Sequence, residues 1–176
     1  MPDTLSQILE QTQVTASAEF HGEIKKMMII LSKASIENVY AAFVLANGAR
    51  MEGIDAEIFF TFFGLEAIHK KKLEHLHVAT VGNPAMHMPT MLGGLPGMEA
   101  LATSMMMKEM DKLDIPPVHE FLDILKASGV KLWACRLAMD MFHYKPEDMY
   151  DDLDGVLTVG DFYKEGAGLG THMLFV

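Results

Sequence analysis

KKMMIILSKASIENVYAAFVLANGARMEGIDAEIFF, residues 25–60, reads as strand, helix, strand. Lys26 to Leu31 (KMMIIL) is a nearly continuous apolar run, the pattern of a strand buried on both faces. Ser35 stands where a helix cap belongs. Ile36, Val39, Tyr40, Phe43 and Val44 then recur at helical spacing, and Gly53 marks the stop. Ala56 to Phe60 (AEIFF) is a second buried strand. Two apolar strands joined by an amphipathic helix form the unit of a parallel sheet, because parallel neighbours need a crossover.

The same alternation continues downstream. Leu65 to Leu76 is predicted helical and carries Lys70, Lys71 and Lys72 in a row. Residues 80–98 hold seven glycines and prolines among their methionines, which predicts a flap. A helix from about Met98 to Lys112 follows. Pro116-Pro117 separates it from another with Val118, Phe121, Leu122 and Leu125 on one face and Gly129 as its stop. Val130 to Ala134 (VKLWA), Gly155 to Val159 (GVLTV) and His172 to Val176 (HMLFV) are predicted as strands three to five. Short helices are expected from Arg136 to Met141 and from Asp161 to Glu165, with a solvated acidic turn around residues 147–154. The expected fold class is α/β: a Rossmann-like, doubly wound, mainly parallel five-stranded sheet with helices on both faces. Residues 1–24 read as an arm or short helix and 25–176 as one domain.

The chain has 176 residues, enough for one domain with a sizeable core. Its formal charge is −10, which disfavours nucleic acid and anionic membrane surfaces as partners. The longest apolar run, Val39 to Ala46, is far below the ~20 residues of a bilayer span. The polar start of the chain has no secretory pattern, so the expected location is the cytoplasm.

One cysteine, Cys135, is present, which excludes an intrachain disulfide and a thiolate zinc cluster. It stands directly after a predicted strand and before a predicted helix, where unpaired N–H groups and the helix dipole favour a thiolate. Arg136 adds a cation beside it. Ligands of such sheets sit outside the carboxyl ends of the strands, and that rule gathers Ser32, Thr61 and Cys135 at one edge, with Gly64 close by. A lone cysteine has no resolving partner, so three kinds of chemistry remain: an acyl or thioester intermediate, a persulfide, or a one-cysteine peroxidase. His143 is read as a surface residue after the helix. His69, His75 and His77 have no spacing that gathers them on one helix face, and no metal site is assigned. LGGLPGM (92–98) is neither GxGxxG nor a phosphate loop, and no cofactor is expected. The 16 methionines, eight of them between Met86 and Met110, suit either a buried helix or an adaptable docking surface.

Residues 25–65, the Met-rich segment 88–110 (MPTMLGGLPGMEALATSMMMKEM), GVKLWACRLAMDMF at 129–142 and DGVLTVGDFYKEGAG at 154–168 together resemble the DsrE/DsrF/DsrH-like family. The resemblance implies a Rossmann-like homo-oligomer, a trimer or a hexamer. It also implies a sulfur carrier or sulfurtransferase whose cysteine, here Cys135, takes up sulfane sulfur as a persulfide and passes it to a TusA-like or rhodanese-like carrier. The rival expectation is a non-enzymatic oligomeric module that docks a protein or an apolar ligand through the Met-rich surface.

Overall fold

The computed structural model describes residues 24–81 and 90–176. The predicted arm, all but Ile24, and the core of the predicted flap lie outside the described residues. Five strands, β1 (Lys26–Leu31), β2 (Asp55–Phe60), β3 (Lys131–Cys135), β4 (Gly155–Leu157) and β5 (Thr171–Phe175), pair in the order β4-β3-β2-β1-β5, and every pair is parallel. The helices are α1 (Ile36–Met51), the one-turn α2 (Thr90–Gly93), α3 (Met98–Asp111), α4 (Val118–Ala127), α5 (Arg136–Phe142) and α6 (Val159–Glu165).

The strand order explains why the sheet is covered on both sides. From β1 to β4 each crossover steps the same way across the sheet. The return from β4 to β5 runs back past all the others. Right-handed connections that travel in opposite directions must lie on opposite faces. Phe59 and Phe60 record this, because successive strand residues point to opposite sides. Phe60 meets Phe43 of α1 at a ring-centroid distance of 6.4 Å, whereas Phe59 stacks on Phe162 of α6 at 4.5 Å. On the α1 side Phe43 also packs against Tyr40 and Phe121, which ties α4 to α1 through aromatic contacts.

The α6 side holds a charged cluster. Glu57 is buried in the middle of β2. Its Oε2 accepts from the Trp133 indole N–H at 2.9 Å. Its Oε1 takes the Lys26 ammonium at 2.6 Å as an ion pair without hydrogen-bond alignment, and Lys131 approaches to 3.7 Å. Lys131 and Trp133 are the register neighbours of Glu57 and Phe59 on β3.

Several predicted boundaries move. Leu65 to Leu76, expected as one helix, forms two 3-10 turns, Phe62–Ile68 and Leu73–His75. The break is at His69, which is extended and bridges to Met149, while Ile68 O accepts from Tyr150 N. A backbone drawn into that pairing cannot continue helical bonding. Strand three runs one residue further than expected, so Cys135 is both the last residue of β3 and the N-cap of α5. Strand four stops at Leu157 because the next residue, Thr158, caps α6 and accepts from Asp161 N. No helix among the described residues is long and apolar enough to cross a membrane.

Candidate functional site at the carboxyl edge of the sheet

The register places the candidate residues in one row. Leu31, Phe60, Ala134 and Val156 are successive partners across four strands. One residue further along come Ser32, Thr61, Cys135 and Leu157, and the Cys135–Leu157 pair closes that row. Backbone bonds lock it: Thr61 N donates to Leu31 O, and Gly64 N donates to both Ser32 O (3.1 Å) and Thr61 O (2.9 Å). Gly64 is needed because a Cβ there would press into the Leu31 carbonyl. Ser32 is occupied structurally, since its N and Oγ both donate to Val176 O.

Cys135 is 3% exposed. As the N-cap of α5 its side chain makes no capping hydrogen bond, so the expected direct N–H contact to the sulfur is not formed. Arg136 is exposed on the first turn of the same helix. Thus Ser32, Thr61, Gly64 and Cys135 come together at one edge, and Arg136 flanks them from outside.

Sequence reasoning passed over the rim of this site. Phe62, directly after Thr61, has φ +45 and is 51% exposed. The left-handed region is unfavourable for a bulky L-residue and stores about 1–3 kcal/mol of strain. Phe63 is also exposed and meets Phe142 of α5 at 5.4 Å. The aromatic series continues from Phe142 to Tyr144 and on to the buried His69. Lys72 reaches over the Tyr144 ring and donates to the Tyr144 hydroxyl and to Glu66. The hydrogen bonds to Glu66 and Tyr144 hold the Lys72 ammonium above its ordinary pKa range. The signal available in the sequence was the aromatic pair itself, placed straight after a strand end. Its backbone strain has no sequence signature.

The histidines divide. His69 is buried, its Nδ1 accepting from Lys71 N, so its role is local packing. His75 and His77 line a hollow of about 300 Å³ with Glu66 and Glu99, and Phe63 of the rim forms part of its wall. His143 is exposed in the left-handed conformation that ends α5. Among the described residues no three His, Cys, Asp or Glu side chains converge as a metal-binding group. On α3 only Ala102 and Met110 are buried, while Met105 is exposed.

Comparison with known proteins adds the lineage. Residues 23–173 match the DsrE/DsrF/DrsH-like family model. The chain is 34% identical over 140 residues to the sulfur carrier protein DsrE2 of Allochromatium vinosum, covering 75% of this chain and 87% of that one. It is 26% identical over 140 residues to the uncharacterized protein YrkE of Bacillus subtilis, covering 75% and 86%. Among solved structures it superposes on the ychN protein of E. coli with a TM-score of 0.52 at 15% identity, covering 86% of this chain and 99% of that one, a likeness of fold. A matching family model over nearly the whole described chain and a relative at 34% identity lead to one conclusion: the protein belongs to the DsrE/DsrF/DrsH-like family.

Proposed function

We propose that the protein is a sulfur carrier that takes up sulfane sulfur on Cys135 as a persulfide and hands it to a partner carrier. The observation that carries this reading is the position of the chain's sole cysteine, at the carboxyl edge of a sheet in a family with a curated sulfur carrier. In loading, the Cys135 thiolate attacks the outer sulfur of a donor persulfide. An S–S bond forms at Cys135 Sγ, and the donor leaves as thiolate. Unloading is the same exchange with the roles reversed, so no oxidant or reductant is consumed.

Burial suits storage. A thiol 3% exposed is shielded from solvent reductants, and the added sulfur extends the side chain by about 2 Å beyond Sγ. The residues beside it have separable duties. Thr61 and Gly64 fix the strand end that carries the cysteine's neighbour, and Arg136 offers an exposed cation to an approaching anionic sulfur. The −10 charge supports a basic-faced partner, TusA-like or rhodanese-like, and the family supports a homo-oligomer, trimer or hexamer. The rival docking role for the Met-rich surface has exposed Met105 in its favour, while the sulfur carrier relative favours the carrier role.

Intact-mass spectrometry after incubation with polysulfide, and separately with thiosulfate, tests the proposal. Wild type is expected to gain sulfur-atom mass that a thiol reductant removes, with sulfite leaving when thiosulfate is the donor, and Cys135→Ser is expected to gain none. Equal labelling of both proteins, or none on wild type with either donor or a carrier-borne persulfide, overturns it.

A further inference from the structure

A thiol that exchanges sulfur has to be reached, and Cys135 is buried. Two segments rise from the strand ends beside it. One is the turn Phe62–Ile68, after β2. The other is α5, after β3, with His143 and Tyr144 following it. Cys135 is the N-cap of α5 and its side chain makes no capping hydrogen bond, so the cysteine does not tie the helix down. Within α5 the buried residues are Ala138 and Met139. The contacts that bind α5 to the turn lie at its far end. Phe142 meets Phe63 at 5.4 Å. Tyr144, held back on the helix by its N–H to Met139 O at 2.9 Å, stands edge-on to His69 at 4.7 Å. Lys72 then joins the two segments by polar bonds. Its Nζ donates to the Tyr144 hydroxyl and to Glu66 Oε1, each at 2.6 Å, and lies 5.2 Å from the centre of the Tyr144 ring.

We infer that Glu66, Lys72 and Tyr144 are positioning residues: together they form a polar clasp that holds α5 against the turn, and opening of the clasp admits reagents to Cys135. The inference rests on the carrier reading of Cys135 and deepens it by naming what governs access to the thiol. The clasp is built from bonds that open readily. The Lys72 and Glu66 side chains are 40% and 32% exposed, so water can replace either partner. The turn has its own reason to move once released, because Phe62 is held at φ +45 and relaxes when its backbone is free. Glu66 and Tyr144 are joined through Lys72, so the ammonium is the pin of the device. The bonds to Glu66 and Tyr144 hold that ammonium above its ordinary range, so it stays charged wherever a lysine ordinarily would. Salt is therefore the lever that loosens the clasp.

The rate at which iodoacetamide, a neutral reagent, alkylates Cys135 in the full chain reads this access directly. Lys72→Met is expected to raise the rate about threefold or more while the urea midpoint stays near that of wild type. Tyr144→Phe keeps the ring against Phe142 and His69 and loses the hydroxyl alone, so a smaller rise is expected. The double variant Lys72→Met/Tyr144→Phe is expected to match Lys72→Met, because the hydroxyl acts through Lys72. Lys72→Arg keeps the cation and is expected to restore most of the closure. Added salt should speed alkylation of wild type more than that of Lys72→Met. Alkylation of Lys72→Met at the wild-type rate overturns the clasp. So does a rise no larger than the variant's loss of stability in urea accounts for, which would mean that the thiol is reached by global unfolding. Effects of the two single variants that simply multiply in the double overturn it as well. Polysulfide loading is measured on the same proteins and is expected to follow the alkylation rates. Faster alkylation of the variants with no loading on any protein supports the clasp and overturns the carrier reading, so the two failures are distinct.

Discussion

Gly64→Ala is expected to destabilise the protein by more than about 4 kcal/mol, in the range reserved for the most disruptive single substitutions. The added Cβ would clash with the Leu31 carbonyl oxygen and stand 2.8 Å from its carbon, and both are backbone atoms of a central strand. A flexible side chain could swing aside, but β1 cannot, because it is paired with β2 on one side and β5 on the other. The turn after β2 must therefore lift. That breaks the two bonds from Gly64 N to Ser32 O and Thr61 O and displaces Thr61 from its place beside Cys135. Thermal unfolding should show a midpoint lowered by about 8–16 °C for a chain of this size. A shift of only a degree or two would mean that the turn relaxes freely and does not brace the site.

Glu57→Ala is expected to cost about 3–5 kcal/mol, the usual consequence of removing one member of a buried ion pair. The Glu57 side chain is 2% exposed, and its loss leaves the Trp133 indole N–H without its acceptor. It also leaves Lys26 and Lys131 as neighbouring like charges, compensated only by the Glu165 carbonyl and carboxylate. Lys131 is half exposed, so solvent relieves part of that repulsion and the lower end of the range is the better guide. Glu57→Gln keeps an oxygen for the indole and should lose less. Trp133 is the chain's sole tryptophan, so urea unfolding followed by its fluorescence reads the site directly. A midpoint change worth under about 1 kcal/mol would show that the cluster is solvated and not structural.

How far the sequence foretold these features depends on the physics behind each. The central strands were legible because parallel strands covered on both faces are written as apolar runs, and KMMIIL and VKLWA are such runs, whereas the edge strands β4 and β5 are only partly buried. Cys135 was legible as a strand-to-helix residue. The order of strands was not, since periodicity describes one element and says nothing of its neighbours. Glu57 was visible as a lone charge inside AEIFF, yet its partners lie on β1 and β3 and became known only through register. The region 65–76 misled because its apolar spacing is compatible with a helix, while the His69–Met149 pairing that prevents one is made with residues some 80 positions away. Phe62 was invisible for a simpler reason: nothing in a phenylalanine announces a positive φ.

The position of β5 has a consequence in time. Ser32 and Val176, which bond at the sheet edge, are separated by 144 residues. A ribosome adding about 5–20 residues per second takes about 7–30 s to cover that distance. For all of that interval β1, an interior strand of the finished protein, is an edge strand with one row of N–H and C=O groups unsatisfied. The nascent chain can assemble β1 to β4 on the α1 side, but the two strands that flank β1 are made more than a hundred residues apart. Closure of the sheet, and with it the anchoring of Ser32 beside the site, is therefore a late event, and the half-made chain is the form that most needs protection from pairing with its neighbours.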